Sequence, residues 1–177
     1  MGSLPNDRRV LLLEAIADRM RDHAARGAQF VLPFENRGPE AGVTLHHPHG
    51  QIYAFPFVPS PQAKAARAFA DGYSLQHELD LWGDTAIVNA RAHAVGFVPP
   101  FARFPYECWL APTARRPSLT ELEPAELEDM AALIGDICRR YDRLFGRPMP
   151  YMMTLHSAPS GSEARFHFTV QFYPLLR

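Results

Sequence analysis

The chain has 177 residues, of which 47% are hydrophobic, and this length suits one ordinary domain with a sizeable buried core. Its 18 basic and 19 acidic residues leave a formal net charge of −1, which argues against a general nucleic-acid-binding protein. No apolar run approaches the length of a transmembrane helix, and the two cysteines form neither a CxxC pair nor a disulfide framework. We therefore expect a cytoplasmic protein, without a signal peptide, that binds neither nucleic acid nor a membrane.

Hydrophobic periodicity predicts helices and strands that alternate along the chain. Helical spacing of apolar residues runs from Val10 to Arg26, and a second long helix begins at Pro124, which suits a first helical turn. Runs of bulky β-formers bounded by glycine and proline predict the strands. The predicted helices cover 10–26, 62–73 and 124–145, and the predicted strands cover 30–34, 51–57, 85–89, 93–98, 107–110, 151–155 and 166–173.

The order helix, strand, loop, strand occurs twice, at 10–57 and again at 124–173. Duplication of one module would produce this order, with the first copy lacking the strands that precede the second. Helix–strand–strand order is also common in α+β proteins, so periodicity alone leaves both interpretations open.

The densest polar cluster is the run HHPHGQ at 46–51, where a loop enters a predicted strand. Side chains alternate along a strand, so His47, His49 and Gln51 would share one face. Three interpretations are available: a metal site, a set of histidines satisfied by protein partners, or a histidine nucleophile. The metal interpretation lacks further ligands nearby, and several polar groups on one apolar strand are costly to bury without partners or a ligand.

The nucleophile interpretation has a direct chemical basis. Imidazole has a pKa of about 6.5, so much of it is unprotonated and nucleophilic at neutral pH. The amide of Gln51 would donate a hydrogen bond to charge that develops on a phosphate.

Several motifs accompany this cluster, and in their order the sequence resembles the galactose-1-phosphate uridylyltransferases of the histidine-triad superfamily. HPHGQ is the most specific of them, and together they cover nearly the whole chain. The motifs are FENRG at 34–38, GVT at 42–44, HPHGQIYA at 47–54, FARFPYE at 101–107, RYD at 140–142, PYMM at 150–153, HSAP at 156–159 and FYP at 172–174.

The resemblance implies an α+β fold, with a histidine-triad-like antiparallel sheet and helices packed on it. Residues 1–61 would be the C-terminal part of a first module and carry HPHGQ, residues 62–78 a helical connector, and residues 79–177 a nearly complete second module. The chain would begin after the zinc cysteines of the family and end before the segment that binds the hexose phosphate.

The resemblance also implies an activity. His49 would attack the α-phosphorus of UDP-glucose, hold the uridylyl group and pass it to galactose 1-phosphate, and Gln51 would bind the transferred phosphoryl group. Asn36, Gly42 and Thr44 match positions that line the nucleotide and phosphate site, together with Gln51. No organic cofactor is implied.

Two metal sites of the family are matched only in part. His47 corresponds to a zinc ligand, but zinc at this position would need ligands from another chain, because Cys108 and Cys138 are interpreted as core residues. His156 matches one ligand of a second metal site. The other positions of that site fall on Thr169, Gln171 and near Ala65, so we expect this metal to be absent.

Several functions stay open on the sequence. The chain would be the C-terminal half of a split uridylyltransferase, paired with a separate N-terminal half or with itself as a homodimer, docked at an exposed sheet edge formed by 30–34 and 51–57. Alternatives are another nucleotide transferase, phosphorylase or hydrolase of the superfamily, a non-catalytic relic, or one part of a longer protein.

Overall fold

The computed structural model describes residues 1–43 and 49–176. It contains four α-helices, α1 (Asn6–Ala25), α2 (Ser60–Ala70), α3 (Leu75–Trp82) and α4 (Pro124–Leu144), within the described residues. The strands of this part of the chain are β1 (Phe30–Arg37), β2 (Gly50–Phe55), β3 (Ile87–Ala90), β4 (Ala94–Phe97), β5 (Cys108–Pro112), β6 (Tyr151–His156) and β7 (Thr169–Pro174). The three predicted helices and seven predicted strands are confirmed with shifted ends, and α3 was not predicted.

All of these strands join one antiparallel sheet in the order β2-β1-β6-β7-β5-β4-β3. The predicted α+β class with helices packed on an antiparallel sheet is therefore confirmed. None of the four described helices is long and apolar enough to cross a membrane.

Alternation of side chains divides the sheet into two faces. The helix face packs against α1 and α4, and its buried side chains include Val31, Leu110, Met153 and Val170. The opposite face, here called the open face, carries one row across five strands, in which the register aligns Gln51, Phe34, Thr154, Gln171 and Trp109.

Helices α2 and α3 cover only one side of the open face. Phe69 of α2 and Leu75 and Leu79 of α3 pack against Val95 and Phe97 of β4 in a second apolar cluster. The other side of this face, over β1, β2 and β6, carries three of the predicted site residues, Asn36, Gln51 and His156.

The expectation that 30–34 is a sheet edge is corrected by the sheet order. Residues 30–35 of β1 pair with β2 and residues 34–37 pair with β6, so β1 is an inner strand of the sheet. The edge on this side of the sheet is β2 among the described strands. The predicted strand ended at residue 34, and its continuation to Arg37 provides the residues that pair with β6.

Helices α1 and α4 are joined by a buried arginine. Arg9 is 4% exposed, and its Nε donates to the carbonyl oxygen of Ala131 in α4 at 2.8 Å. Its terminal nitrogens donate to the carbonyl oxygens of Met1 and Leu4 and to the Asn6 side chain. Gly135 makes room for this guanidinium, because a Cβ at that position would overlap it.

We predict that Gly135→Ala destabilises the fold. Ala in place of Gly within a helix normally stabilises by about 1 kcal/mol. Here the methyl group would displace the Arg9 guanidinium from its acceptors, so we expect the free energy of unfolding to fall by about 1–3 kcal/mol. Urea unfolding followed by far-UV circular dichroism measures it.

The control is Arg143→Ala, on an exposed position of α4, for which we expect a change within about 0.5 kcal/mol. A gain in stability for Gly135→Ala would contradict this role of Arg9.

Candidate functional site

The β1–β2 pair brings together those parts of the FENRG and HPHGQ motifs that the structure describes. Gly50 opens β2 opposite Glu35, and Gln51 lies opposite Phe34 with its side chain exposed on the open face. His49 immediately precedes Gly50 and is half-buried. Thr44 and His47, the other predicted residues of this stretch, lie outside the described residues.

Asn36 lies one step along β1, beside a cavity of about 650 Å³. Its Oδ1 atom is buried and accepts no hydrogen bond from the described residues. A buried acceptor of this kind is satisfied by a donor from water, a ligand or another segment. Asn36 therefore has an acceptor that none of the described residues satisfies.

Two glycines shape the turn that follows β1. Gly38 has φ of +92°, and a Cβ there would lie 2.7 Å from Cβ of Pro150, so this position accepts glycine alone. Gly42, a predicted substrate-binding residue, has φ of +77° and ends the 3₁₀ turn at Pro39–Ala41. Both glycines let the chain turn tightly beside the Asn36 cavity.

The cations around this cavity are paired. Arg37 makes an ion pair with Asp142 of α4 at 2.8 Å, and its guanidinium lies 5.6 Å from the centre of the Tyr151 ring. Arg147 lies 3.5 Å from the Glu40 carboxylate. The positive charge offered to an anionic ligand by these two residues is therefore partly neutralised.

Glu35 is a residue that the sequence analysis missed. It is 7% exposed on the helix face, and the Tyr151 hydroxyl donates to its Oε1 atom at 3.3 Å. The Cys138 thiol lies 3.3 Å from the same hydroxyl and completes a buried chain of polar groups. Burial raises the pKa of the Glu35 carboxyl, and the N-terminal ammonium group, the hydrogen bond from Tyr151 and the charge of Arg37 act in the opposite direction. A charged residue inside an apolar strand was the available sequence signal.

A second group of polar side chains, here called the polar array, occupies β6 and β7 on the open face. Oγ1 of Thr154 lies 2.7 Å from Nε2 of His156, and Nε2 of Gln171 donates to Oγ1 of Thr169 at 2.9 Å. The Tyr173 hydroxyl donates to Oε1 of Gln171. The array is hydrogen-bonded within itself.

His156 is electrically neutral in this array at neutral pH. Burial, and next the positive charge of Arg103, lower the pKa of its imidazole to about 4. The structure thus places His156 among hydroxyl and amide groups and not beside carboxylates.

The residues present do not fit the second metal of the family. The described residues contain no group of three or more histidine, cysteine, aspartate or glutamate side chains able to hold a metal ion. Thr169 and Gln171 hydrogen-bond each other, and Ala65 has no ligand atom in its side chain. A single imidazole with hydroxyl and amide neighbours is a poor donor set for a transition metal.

The cysteines likewise offer no zinc ligands. Cys108 and Cys138 are both buried in the apolar core, and burial raises the pKa of their thiols to about 12 and about 11. Zinc binds the thiolate form, which such burial disfavours. The described part of the chain therefore does not supply the partners that zinc at His47 would need.

We predict that His156 makes the fold less stable in weak acid. The unfolded imidazole, with a pKa near 6.5, binds a proton that the folded one, with a pKa of about 4, does not. The free energy of unfolding therefore falls as pH falls through this window, by up to about 2 kcal/mol between pH 7 and pH 5. Urea unfolding at both pH values measures this loss.

His156→Gln should lose about 2 kcal/mol less stability than the native chain between pH 7 and pH 5. His93→Gln, at an exposed position, is the control and should lose as much as the native chain. Equal pH dependence of the native chain and His156→Gln would contradict the buried neutral state.

Comparison with known proteins adds to this geometry. Residues 7–59 match the family model of the galactose-1-phosphate uridyl transferase N-terminal domain, and residues 66–177 match that of the C-terminal domain. The Thermotoga maritima galactose-1-phosphate uridylyltransferase is 36% identical over 173 residues, which cover 92% of this chain and 54% of the relative. The Streptomyces lividans galactose-1-phosphate uridylyltransferase is 34% identical, and the match covers 90% of this chain and 49% of that relative.

Solved structures show the same likeness. A uridylyltransferase structure superposes with a TM-score of 0.92 at 31% identity and covers 99% of this chain and 58% of that one. An ADP-glucose phosphorylase from Arabidopsis thaliana shares the fold, with a TM-score of 0.87 at 20% identity. The superposition covers 99% of this chain and 58% of that one. The chain spans about half the length of the curated relatives it matches. With both domain models matched in order along the chain, it belongs to the galactose-1-phosphate uridyl transferase family.

Proposed function

We propose that this chain carries the nucleophilic half of a uridylyltransferase that exchanges glucose 1-phosphate for galactose 1-phosphate on a uridylyl group. The observation that supports this most is the intact HPHGQ run, in which His49 and Gln51 stand at the start of β2 in a chain that matches both domains of the family. A transferase of this kind needs a nucleophile and, close to it, a neutral group that donates a hydrogen bond to the phosphate.

The proposed reaction has two displacements at one phosphorus atom. An imidazole nitrogen of His49 attacks the α-phosphorus of UDP-glucose, the bond to the bridging oxygen breaks, and glucose 1-phosphate leaves with the electron pair. A phosphate oxygen of galactose 1-phosphate then attacks the uridylyl-His49 phosphorus, which forms UDP-galactose and frees the imidazole. Splitting one difficult step into two in this way is covalent catalysis.

Gln51 and Asn36 would orient the substrate. The amide nitrogen of Gln51 would donate to a phosphoryl oxygen as charge builds up there. Oδ1 of Asn36 would accept a donor from the nucleotide, and Gly42 and Thr44 complete the proposed binding set.

The proposal includes a partner and a domain division. Residues 1–61 would be the tail of a first module, 62–78 a connector and 79–177 the second module. The chain would pair with a second copy of itself, with a separate polypeptide that supplies the part of the relatives it does not match, or with both. Any zinc at His47 would take its remaining ligands from that partner. We place the reaction in the cytoplasm, where the two buried thiols would stay reduced.

β2 is the proposed docking edge. It is the sheet edge on this side of the described chain, and the side chains of Tyr53 and of Phe57, just beyond it, are 51% and 55% exposed. Unpaired edge backbone beside exposed aromatic rings is a favourable surface for a further strand.

We predict that His49 becomes uridylylated. The chain, alone and together with the part of the Thermotoga maritima relative outside the alignment, is incubated with UDP-glucose radiolabelled at the α-phosphorus. We expect acid-labile label on the protein, lost in His49→Ala because the nucleophile is gone, and formed about 100-fold more slowly in Gln51→Ala because charge on the phosphate loses a donor.

The matched control is His77→Ala, an exposed histidine of α3, which should label normally. Label retained on His49→Ala would contradict the proposed nucleophile. Labelling by ADP-glucose and not by UDP-glucose would favour another nucleotidyltransferase, and no label with either donor, with the partner present, would favour the non-catalytic alternative.

We predict that Tyr53→Glu weakens docking of the same Thermotoga maritima fragment. A carboxylate on the proposed interface would have to be desolvated, so we expect at least about tenfold weaker binding by surface plasmon resonance. Leu81→Glu is the control, because Leu81 is 66% exposed on α3, away from β2. Equal losses for the two variants would argue against β2 as the docking edge.

A further inference from the structure

An apolar cavity of about 660 Å³ opens on the open face. It lies between α2, the 99–106 loop and strands β6 and β7, and Ala65, Phe101 and Thr154 are among its lining residues. This volume falls within the range of small-molecule sites. The cavity is separate from the one beside Asn36, because the two have no described lining residue in common.

Aromatic rings form its walls and are held by one another. Phe101 lies 5.5 Å from Trp109, and Phe69 lies 4.8 Å from Phe166, between ring centroids. In a third pair, the ring of Phe104 in the 99–106 loop lies 5.8 Å from the ring of Tyr173 in β7. Such mutually packed rings are a preformed surface for a flat apolar ligand.

The floor of the cavity is polar and uncharged, and it consists of hydroxyl, amide and imidazole groups. It consists of the polar array: Thr154, His156, Thr169, Gln171 and Tyr173. In the wall, the Tyr73 hydroxyl is buried and has no hydrogen-bond partner among the described residues. These groups offer directional hydrogen bonds to a ligand that enters between the rings.

The charge among the described lining residues of this cavity is positive. Arg103 is the only arginine, lysine, aspartate or glutamate among the described lining residues. Its guanidinium carbon lies 5.3 Å from the Tyr173 ring and 5.9 Å from the Phe104 ring, and no described carboxylate lies within 4.0 Å of it.

The acidic side chain that follows the 99–106 loop already has hydrogen-bond partners. Glu107 is 1% exposed, and its Oε2 atom accepts hydrogen bonds from the backbone N–H groups of Arg103 and Phe104. Its Oε1 atom accepts from Nε1 of Trp109 at 2.7 Å. With its hydrogen bonds directed to these three groups, Glu107 holds the loop in place and leaves the guanidinium to an outside anion.

We propose that this cavity binds a small planar aromatic monoanion, whose ring lies between the aromatic walls and whose carboxylate or sulfonate pairs with Arg103. A guanidinium held close to two aromatic rings keeps its planar N–H groups available for the paired hydrogen bonds that a carboxylate accepts. This binding site is independent of the proposed uridylyl transfer, because it uses neither His49 nor Gln51.

Naphthoate and the neutral naphthalenemethanol are the probes that test the charge requirement. Each is titrated into the isotope-labelled chain while the indole N–H signals of its two tryptophans are followed by NMR. We expect the Trp109 signal to shift saturably with naphthoate, with a dissociation constant at least about tenfold lower than for naphthalenemethanol, because only the anion pairs with Arg103.

Two variants separate charge from volume. Arg103→Gln should remove the preference for naphthoate while naphthalenemethanol still binds, and Ala65→Phe should fill the cavity and weaken both probes. Arg115→Gln, an exposed arginine that does not line this cavity, is the matched control and should bind both probes as the native chain does.

The proposal is overturned by equal affinity for the two probes, by an unchanged preference in Arg103→Gln, or by shifts that do not saturate. The dispersion of backbone N–H signals in each variant verifies that it is folded. Loss of uridylylation in the labelling experiment leaves this proposal standing, and absence of naphthoate binding leaves the proposed transfer standing.

Discussion

The pairing of β1 with β6 is the constraint on which the rest of this structure depends. Four residue pairs, from Phe34 opposite Thr154 to Arg37 opposite Tyr151, join segments that lie more than a hundred residues apart. A two-stranded β1–β2 ribbon would be only marginally stable alone, and this contact makes it the end of a seven-stranded sheet. The same register decides that Gln51 and the polar array share the open face. The segments matched by the two domain models thus fold as one sheet.

Long periodic elements were predictable because their signal is local. α4 repeats its apolar positions over 21 residues, and a capping box between Glu123 and Glu126 reinforces its start. α3 escaped prediction because eight residues with two buried leucines carry little periodicity, although Ser74 at its N-cap was a usable signal. The second neighbour of β1 was not predictable from local pattern, since β6 follows so much later in the chain.

Some residues of the candidate site could be selected from the sequence, and others could not. The resemblance of the motifs selected Asn36, and the HPHGQ run selected Gln51; both lie on the β1–β2 pair. Glu35 and Arg103 were not selected, because what a buried carboxyl or a loop cation does depends on tertiary neighbours. Tyr151 reaches Glu35 from β6, and Tyr173 lies under Arg103 from β7. Long-range pairing of strands, which no single segment encodes, assembles these contacts.

Burial of both thiols has a practical consequence. Cys108 on β5 and Cys138 on α4 lie in the interface between the helix face and its helices, where burial raises the pKa of each thiol far above neutral pH. A neutral alkylating reagent reacts with the exposed thiolate, so each cysteine reacts only while that interface is open. The rate of alkylation is therefore a built-in measure of how often the helices separate from the sheet, and it needs no engineered probe.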